Sequence, residues 1–164
     1  YWLLLVCRLC ICLVIAVQTG YDLRLAVTDE IRCREDEQKT QLLLERLAQT
    51  DGDGLPQLPV VFVGYQETEL PEWCRRTEMY GWSFYGWDYS MENPTGATHR
   101  ICGFVQAYTG NVLQEDATEE QKKTAVELAA QMKNFPEEGS VLVTEDCVVV
   151  RLSEVKEQMP TDWW

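Results

Sequence analysis

The sequence predicts an α/β protein: an N-terminal transmembrane helix, then a small α/β domain with a three- to four-stranded sheet and roughly three helices. Three observations predict it. Residues 1–17, YWLLLVCRLCICLVIAV, are apolar apart from Arg8. Residues 58–65, LPVVFVGY, form a short β-branched run bounded by Pro and Gly, the pattern of a strand buried on both faces. A capped amphipathic helix then precedes two short β runs at 141–143 and 147–152. The resulting division is a transmembrane helix over 1–19, a juxtamembrane helix over 20–50, an α/β domain over 51–155 and a tail over 156–164. The sheet holds the buried strand 58–64 and a C-terminal hairpin over 141–152.

Composition agrees with that division. Of 164 residues, 46% are hydrophobic, enough for a core. The net charge is −13, and all 27 Asp and Glu follow residue 20. A chain so poor in clustered Lys and Arg does not bind the phosphate backbone, so no nucleic-acid partner is expected.

The first segment spans about 26 Å as a helix, slightly short of a hydrocarbon core about 30 Å thick. Because the chain does not begin with Met, a truncated span with more sequence upstream is expected. A signal peptide is the competing reading, but Ala16, Val17 and Gln18 make a poor cleavage site. Arg8 in mid-membrane favours contact with further helices of the same protein, or snorkelling to a near interface. Cys7, Cys10 and Cys12 read as apolar packing rather than a redox or metal motif. The flank beyond the span carries Asp22, Asp29, Glu30, Glu35, Asp36 and Glu37 against Arg24, Arg32, Arg34 and Lys39. Cytoplasmic flanks carry excess Lys and Arg, so residues after about 20 are expected outside the cytoplasm.

Residues 22–49 are helix-like, with Leu23, Val27 and Ile31 on one face and Leu43, Leu44 and Leu47 on a second. The polar stretch RCREDEQKTQ between them reads as exposed helix above the membrane. Asp51, Gly52, Asp53 and Gly54 stop the helix. They resemble the start of a calcium loop, but Leu55 replaces an oxygen ligand and Phe62 stands where the bidentate Glu belongs, so a plain turn is expected. The strand ends at Gly64 and Tyr65, a position that often carries a site in α/β sheets.

From 80 to 89 the aromatics Tyr80, Trp82, Phe84, Tyr85, Trp87 and Tyr89 alternate roughly with other residues, which predicts an extended segment with one face packed. Residues 98–109 form a helix through Ile101, Phe104, Val105 and Tyr108, closed by Gly110. His99, the sole histidine, is expected at the surface. Arg100 at a helix start is electrostatically out of place, which points to a carboxylate partner such as Asp88 or to an anionic ligand. Thr118 and Gln121 form a capping box for a helix whose apolar face is Ala125, Leu128, Ala129 and Met132. The soluble cysteines Cys33, Cys74, Cys102 and Cys147 lack zinc-site spacing and are expected as buried free thiols. No catalytic constellation, metal site or cofactor is expected.

The order of these segments resembles the C-terminal tail of bacterial multi-pass glucosyltransferases of the Gtr type. The matching residues are 59–64 (PVVFVG), 83–88 (SFYGWD), 100–104 (RICGF), 135–141 (FPEEGSV) and 148–153 (VVVRLS). The likeness covers residues 1–153, with Phe135 where the family pattern has Trp. It implies a plasma-membrane enzyme that moves glucose from a polyprenyl-phosphate donor onto a surface glycan. It also implies catalytic acids in loops between upstream helices, outside this sequence, so no catalytic residue is carried over and the fragment alone is inactive. The expected partners are the lipid bilayer, the upstream helices and a glycan acceptor. An acidic domain repels an anionic donor, which favours acceptor contact through Trp87, Asp88 and Arg100, or scaffolding. The alternative is a non-catalytic tethered binding or scaffold module.

Overall fold

The computed structural model describes residues 1–51, 54–77 and 79–155. The turn expected at 51–54 includes residues 52 and 53, and the tail comprises 156–164; these lie outside the described residues. Six elements follow in order: α1 (Trp2–Asp51), β1 (Val60–Val63), α2 (Ala97–Thr109), α3 (Glu119–Ala129), β2 (Val141–Val143) and β3 (Val148–Arg151). Three helices and a three-stranded mixed sheet make an α/β fold.

α1 is one unbroken helix of 50 residues, about 75 Å long. Its N-terminal part is long and apolar enough to cross a membrane, and nothing covers it. None of residues 1–27 is buried. From Thr28 onward one face turns inward: Thr28, Arg32, Asp36, Thr40, Leu43 and Leu47 are all buried. Their spacing of four, then three, then four residues draws a single stripe along the helix.

That stripe corrects two expectations. RCREDEQKTQ is not an exposed connector, because Arg32, Asp36 and Thr40 within it are buried. Leu23 is exposed, and Val27 and Ile31 are only half-covered, because the inward face lies one position over, on Thr28 and Arg32. Polar side chains occupy it because the partners opposite are polar. Asp36 accepts hydrogen bonds from Ser83 Oγ (2.6 Å) and from the Phe84 backbone N–H (3.0 Å). Arg32 Nη1 lies 3.6 Å from the same carboxylate. Thr40 Oγ1 and Tyr85 Oη share a bond of 2.9 Å.

The sheet order is β1-β3-β2, with β1 parallel and β2 antiparallel to β3. β1 is buried on both faces, as its β-branched run predicts. Val60 and Phe62 join Leu43, Leu47, Ile101 and Val105 in one core cluster. Val61 and Val63 join Ala125, Ala129 and Val149 in the other. α1 and α2 therefore cover one face and α3 the other. Strand and helix are tied directly where Thr98 Oγ1 accepts from the Phe62 N–H at 3.1 Å.

α2 ends on Gly110 in the left-handed conformation (φ 76), as expected. At α3 both halves of the capping box form: Gln121 N–H donates to Thr118 Oγ1 (3.2 Å) and Thr118 N–H to Gln121 Oε1 (2.7 Å). The aromatic segment departs from its expected extended form. Gly86 and Trp87 N–H both donate to Ser83 O, at 3.1 and 3.0 Å, winding 83–87 into a turn. Asp36 holds Ser83 and the Phe84 N–H, and a side-chain anchor of this kind selects a turn over a strand.

Burial raises the Asp36 carboxyl above its ordinary 3.8, against the bonds from Ser83 and Phe84 and the charges of Lys39 and Arg32. Between 3.8 and that raised value the native state therefore holds a proton that the unfolded chain has lost. The stability this group contributes is present below 3.8 and is lost as pH rises through the raised value. Urea unfolding of the detergent-solubilised chain should show the stability of wild type relative to Asp36→Asn falling as pH rises through that window; a flat difference would refute it. Asp36→Ala, which leaves the Ser83 and Phe84 donors without their acceptor and Arg32 with Asp29 alone, should cost about 3 kcal/mol.

Candidate functional site

The turn at 83–89 and the first half of α2 bring Trp87, Asp88 and Arg100 together. Arg100 Nε donates to Asp88 Oδ2 at 2.6 Å, and the Arg100 guanidinium lies 5.1 Å over the Trp87 ring. Of the partners expected for Arg100 at the helix start, the carboxylate is the one observed. Both side chains of the ion pair are about half exposed (42% and 45%), so the pair contributes ~0.2–1 kcal/mol. The cation–π contact adds about 0.5–1 kcal/mol.

Two backbone features hold this cluster in shape. Asp88 has φ 66, a left-handed conformation that Asp tolerates better than most residues. Its carbonyl oxygen lies so close to Gly96 that a Cβ there would sit 1.9 Å away. Glycine at 96 is thus required by close approach, not by turn geometry, since its own φ is an ordinary −59°.

The cluster is one end of a longer column. Trp87 stacks with Phe84 at 6.2 Å between centroids, Phe84 with Phe104 at 4.7 Å, and Phe104 with Tyr108 at 5.9 Å. Arg32 lies 4.9 Å over Phe84, and Gln41 Nε2 donates to Tyr108 Oη at 3.1 Å. The column joins the aromatic turn, α2 and α1 across the surface. Offset stacking adds ~0.5–1.5 kcal/mol per pair beyond area burial. Phe104 and Tyr108 read in sequence only as part of an apolar helix face, and their i, i+4 spacing was the signal that they stack. With Arg100 over its ring and Phe84 stacked beside it, Trp87 takes a sugar ring face-on only if Arg100 moves. The open ring is Tyr108, which is 38% exposed.

Other positions carry less. At the end of β1, a Cβ on Gly64 would meet Ser153 atoms at 2.7 Å, and Tyr65 packs on Tyr89 at 4.7 Å. Gly64 itself is closed in by Ser153, and a cleft of about 330 Å³ lined by Val126, Ala129, Arg151, Ser153 and Glu154 lies beside it. His99 is at the surface, with Nδ1 2.9 Å from Glu115 Oε2. A cleft of about 310 Å³ beside it is lined by Thr95, Glu115, Asp116 and Lys122 among others, with charges of both signs. All seven cysteines are free thiols; Cys102 and Cys147 are buried, Cys33 and Cys74 half-buried. Burial, with the Glu115 carboxylate adding to it, pushes the Cys102 thiol up to about 12, so it stays protonated at neutral pH and is no nucleophile. Burial pushes the Tyr85 hydroxyl up as well. Among the described residues no group of three or more His, Cys, Asp or Glu could hold a metal ion.

Arg100→Ala should cost about 1 kcal/mol of stability and uncover Trp87, read as increased acrylamide quenching of its emission. Gly96→Ala should cost about 3 kcal/mol, because the Asp88 carbonyl has to move to admit the methyl group. Equal, negligible costs for both variants would refute this account of the cluster.

No protein-family model matches the chain, and neither does any curated protein or solved structure.

Proposed function

We propose that this chain is the extracytoplasmic domain, with its membrane helix, of a multi-pass plasma-membrane glucosyltransferase that moves glucose from a polyprenyl-phosphate donor to a surface glycan. The domain is non-catalytic. Its role is to stand rigidly above the membrane and offer the Arg100–Trp87–Phe84–Phe104–Tyr108 column to the acceptor glycan.

One observation carries the reading. The five segments that carry the resemblance are also the segments that hold the domain together. PVVFVG is β1, paired with VVVR of the last motif. SFYGWD is the turn fastened to Asp36, and its Phe84 and Trp87 meet Phe104 and Arg100 of the third segment, RICGF in α2. Phe135 N–H donates to Arg151 O at 2.8 Å, linking the remaining two. Motifs that recur in one order are expected to be mutual packing partners, and these are. The negative charge of the domain favours a neutral glycan over the anionic donor.

A second reading is a tethered binding or scaffold module outside any transferase, which would use the same aromatic column. The two separate on the reading frame upstream of Tyr1. Eight or more further apolar spans support the transferase, whereas an initiation codon immediately before Tyr1 overturns it. Within the transferase, Tyr108→Ala should raise the KM for acceptor about fivefold, as expected for ~1 kcal/mol of lost aromatic contact, with kcat unchanged. Unchanged KM in a normally folded variant rejects acceptor contact.

A further inference from the structure

The column described above faces sideways from α1. A different apolar cluster lies at the end of the domain nearest the apolar part of α1. Trp73, Met79 and Tyr80 are 50%, 74% and 47% exposed, three large side chains within eight residues. The described residues around them are hydrogen-bonded. Cys74 N–H donates to Pro71 O (2.9 Å), presenting Trp73 on a turn, and Thr77 and Tyr80 exchange backbone bonds of 3.1 and 3.3 Å. Arg76 fastens the base of the loop, to Glu67 at 2.9 Å and to Thr68 O at 2.7 Å, and stacks over Trp82 at 5.2 Å. Large apolar side chains grouped in water mark a contact surface.

The height of the loop on α1 identifies what it touches. Arg75 N–H donates to Thr28 Oγ1 at 3.0 Å, and Gly81 packs on Thr28 Cγ2. Thr28 is the first buried residue of α1. The next ties run upward, to Asp36 and then Thr40, so among the described residues Arg75 and Gly81 meet α1 nearest its apolar part. The apolar run ends at Val17 and the first charge beyond it is Asp22, with Tyr21 between, which puts the edge of the hydrocarbon core near Gly20. Thr28 is then about 12 Å further along the axis. A headgroup layer adds about 5–7 Å above the hydrocarbon, and a Trp side chain reaches down a similar distance. A helix tilt of about 20° brings one side of the domain lower still. Trp and Tyr are the side chains that settle at this depth.

We propose that Trp73, Met79 and Tyr80 form a second membrane contact, seating the domain on the headgroup layer of the bilayer that α1 crosses. The contact is apolar, not electrostatic. In sequence the stretch carries Glu69, Glu72 and Glu78 against Arg75 and Arg76, one net negative charge, so attraction to anionic lipid is not what seats it. The proposal rests on membrane insertion of α1 and is independent of the glucosyltransferase reading.

The test uses the full chain in vesicles of phosphatidylcholine alone, with and without bromine on the acyl chains. Subtracting the emission of Trp73→Phe from wild type isolates Trp73; Trp73→Tyr serves if the Phe variant does not fold. Trp87→Phe isolates Trp87, whose turn is fastened to Asp36, about 12 Å further from the bilayer. The expected result is a blue-shifted Trp73 signal that loses more than half its intensity in brominated lipid, with Trp87 unaffected. A Trp73 signal quenched by acrylamide and not by bromine overturns the proposal. So does one shielded from both, which would mean a protein covers the loop, and so does quenching that appears only with added anionic lipid. Equal quenching of Trp73 and Trp87 also overturns it, because the domain would lie flat. If the chain does not float with vesicles at all, insertion of α1 fails, and the proposal with it.

Discussion

A single buried carboxylate organises this domain. Asp36 lies on the inner face of α1 with no solvent around it, and two donors from the aromatic turn meet it. Burial of an ion is costly unless its lone pairs are satisfied, so the turn at 83–87 and the helix must dock together or not at all. Once that turn is fixed, Tyr85 enters the core beside Leu43 and reaches Thr40, while Phe84 and Trp87 are directed to the surface. The side on which each ring falls is thus decided by Ser83 and the Phe84 N–H.

The same arrangement explains what was legible in the sequence. β1, both strands of the hairpin, α2 and the capping box of α3 are local patterns: β-branched runs, 3.6-residue periodicity and a Thr-x-x-Gln cap. They appear where the sequence places them. The second half of α1 was legible as helix but not in its orientation. A periodicity search weighs apolar residues, and here the inward stripe opens with Thr, Arg, Asp and Thr before Leu43 and Leu47 take over. Polar residues repeating every four positions look like a solvated face unless the donors across from them are known. Those donors lie 47 and 48 residues away in sequence.

The candidate site was partly legible for a related reason. Arg100 at a helix start is unfavourable by itself, and that local anomaly called for a carboxylate, found at Asp88. Beyond the i, i+4 spacing of Phe104 and Tyr108, the column that extends from it had no such signal. It arises because the turn places Phe84 between Trp87 and Phe104, and an alternating aromatic pattern alone suggests a strand instead.

The continuity of α1 has a mechanical consequence. A Gly or Pro hinge between apolar segment and domain would let the two move independently; here Gly20 lies within regular helix and Leu43 and Leu47 bolt the far end into the core. In a bilayer crossed by this helix, any tilt of the apolar part would be passed on to the domain. From Gly20 to Asp51 the helix is a lever of roughly 45 Å, so about 20° of lean displaces its tip sideways by roughly 15 Å. Reach over the membrane surface then follows the tilt of the span.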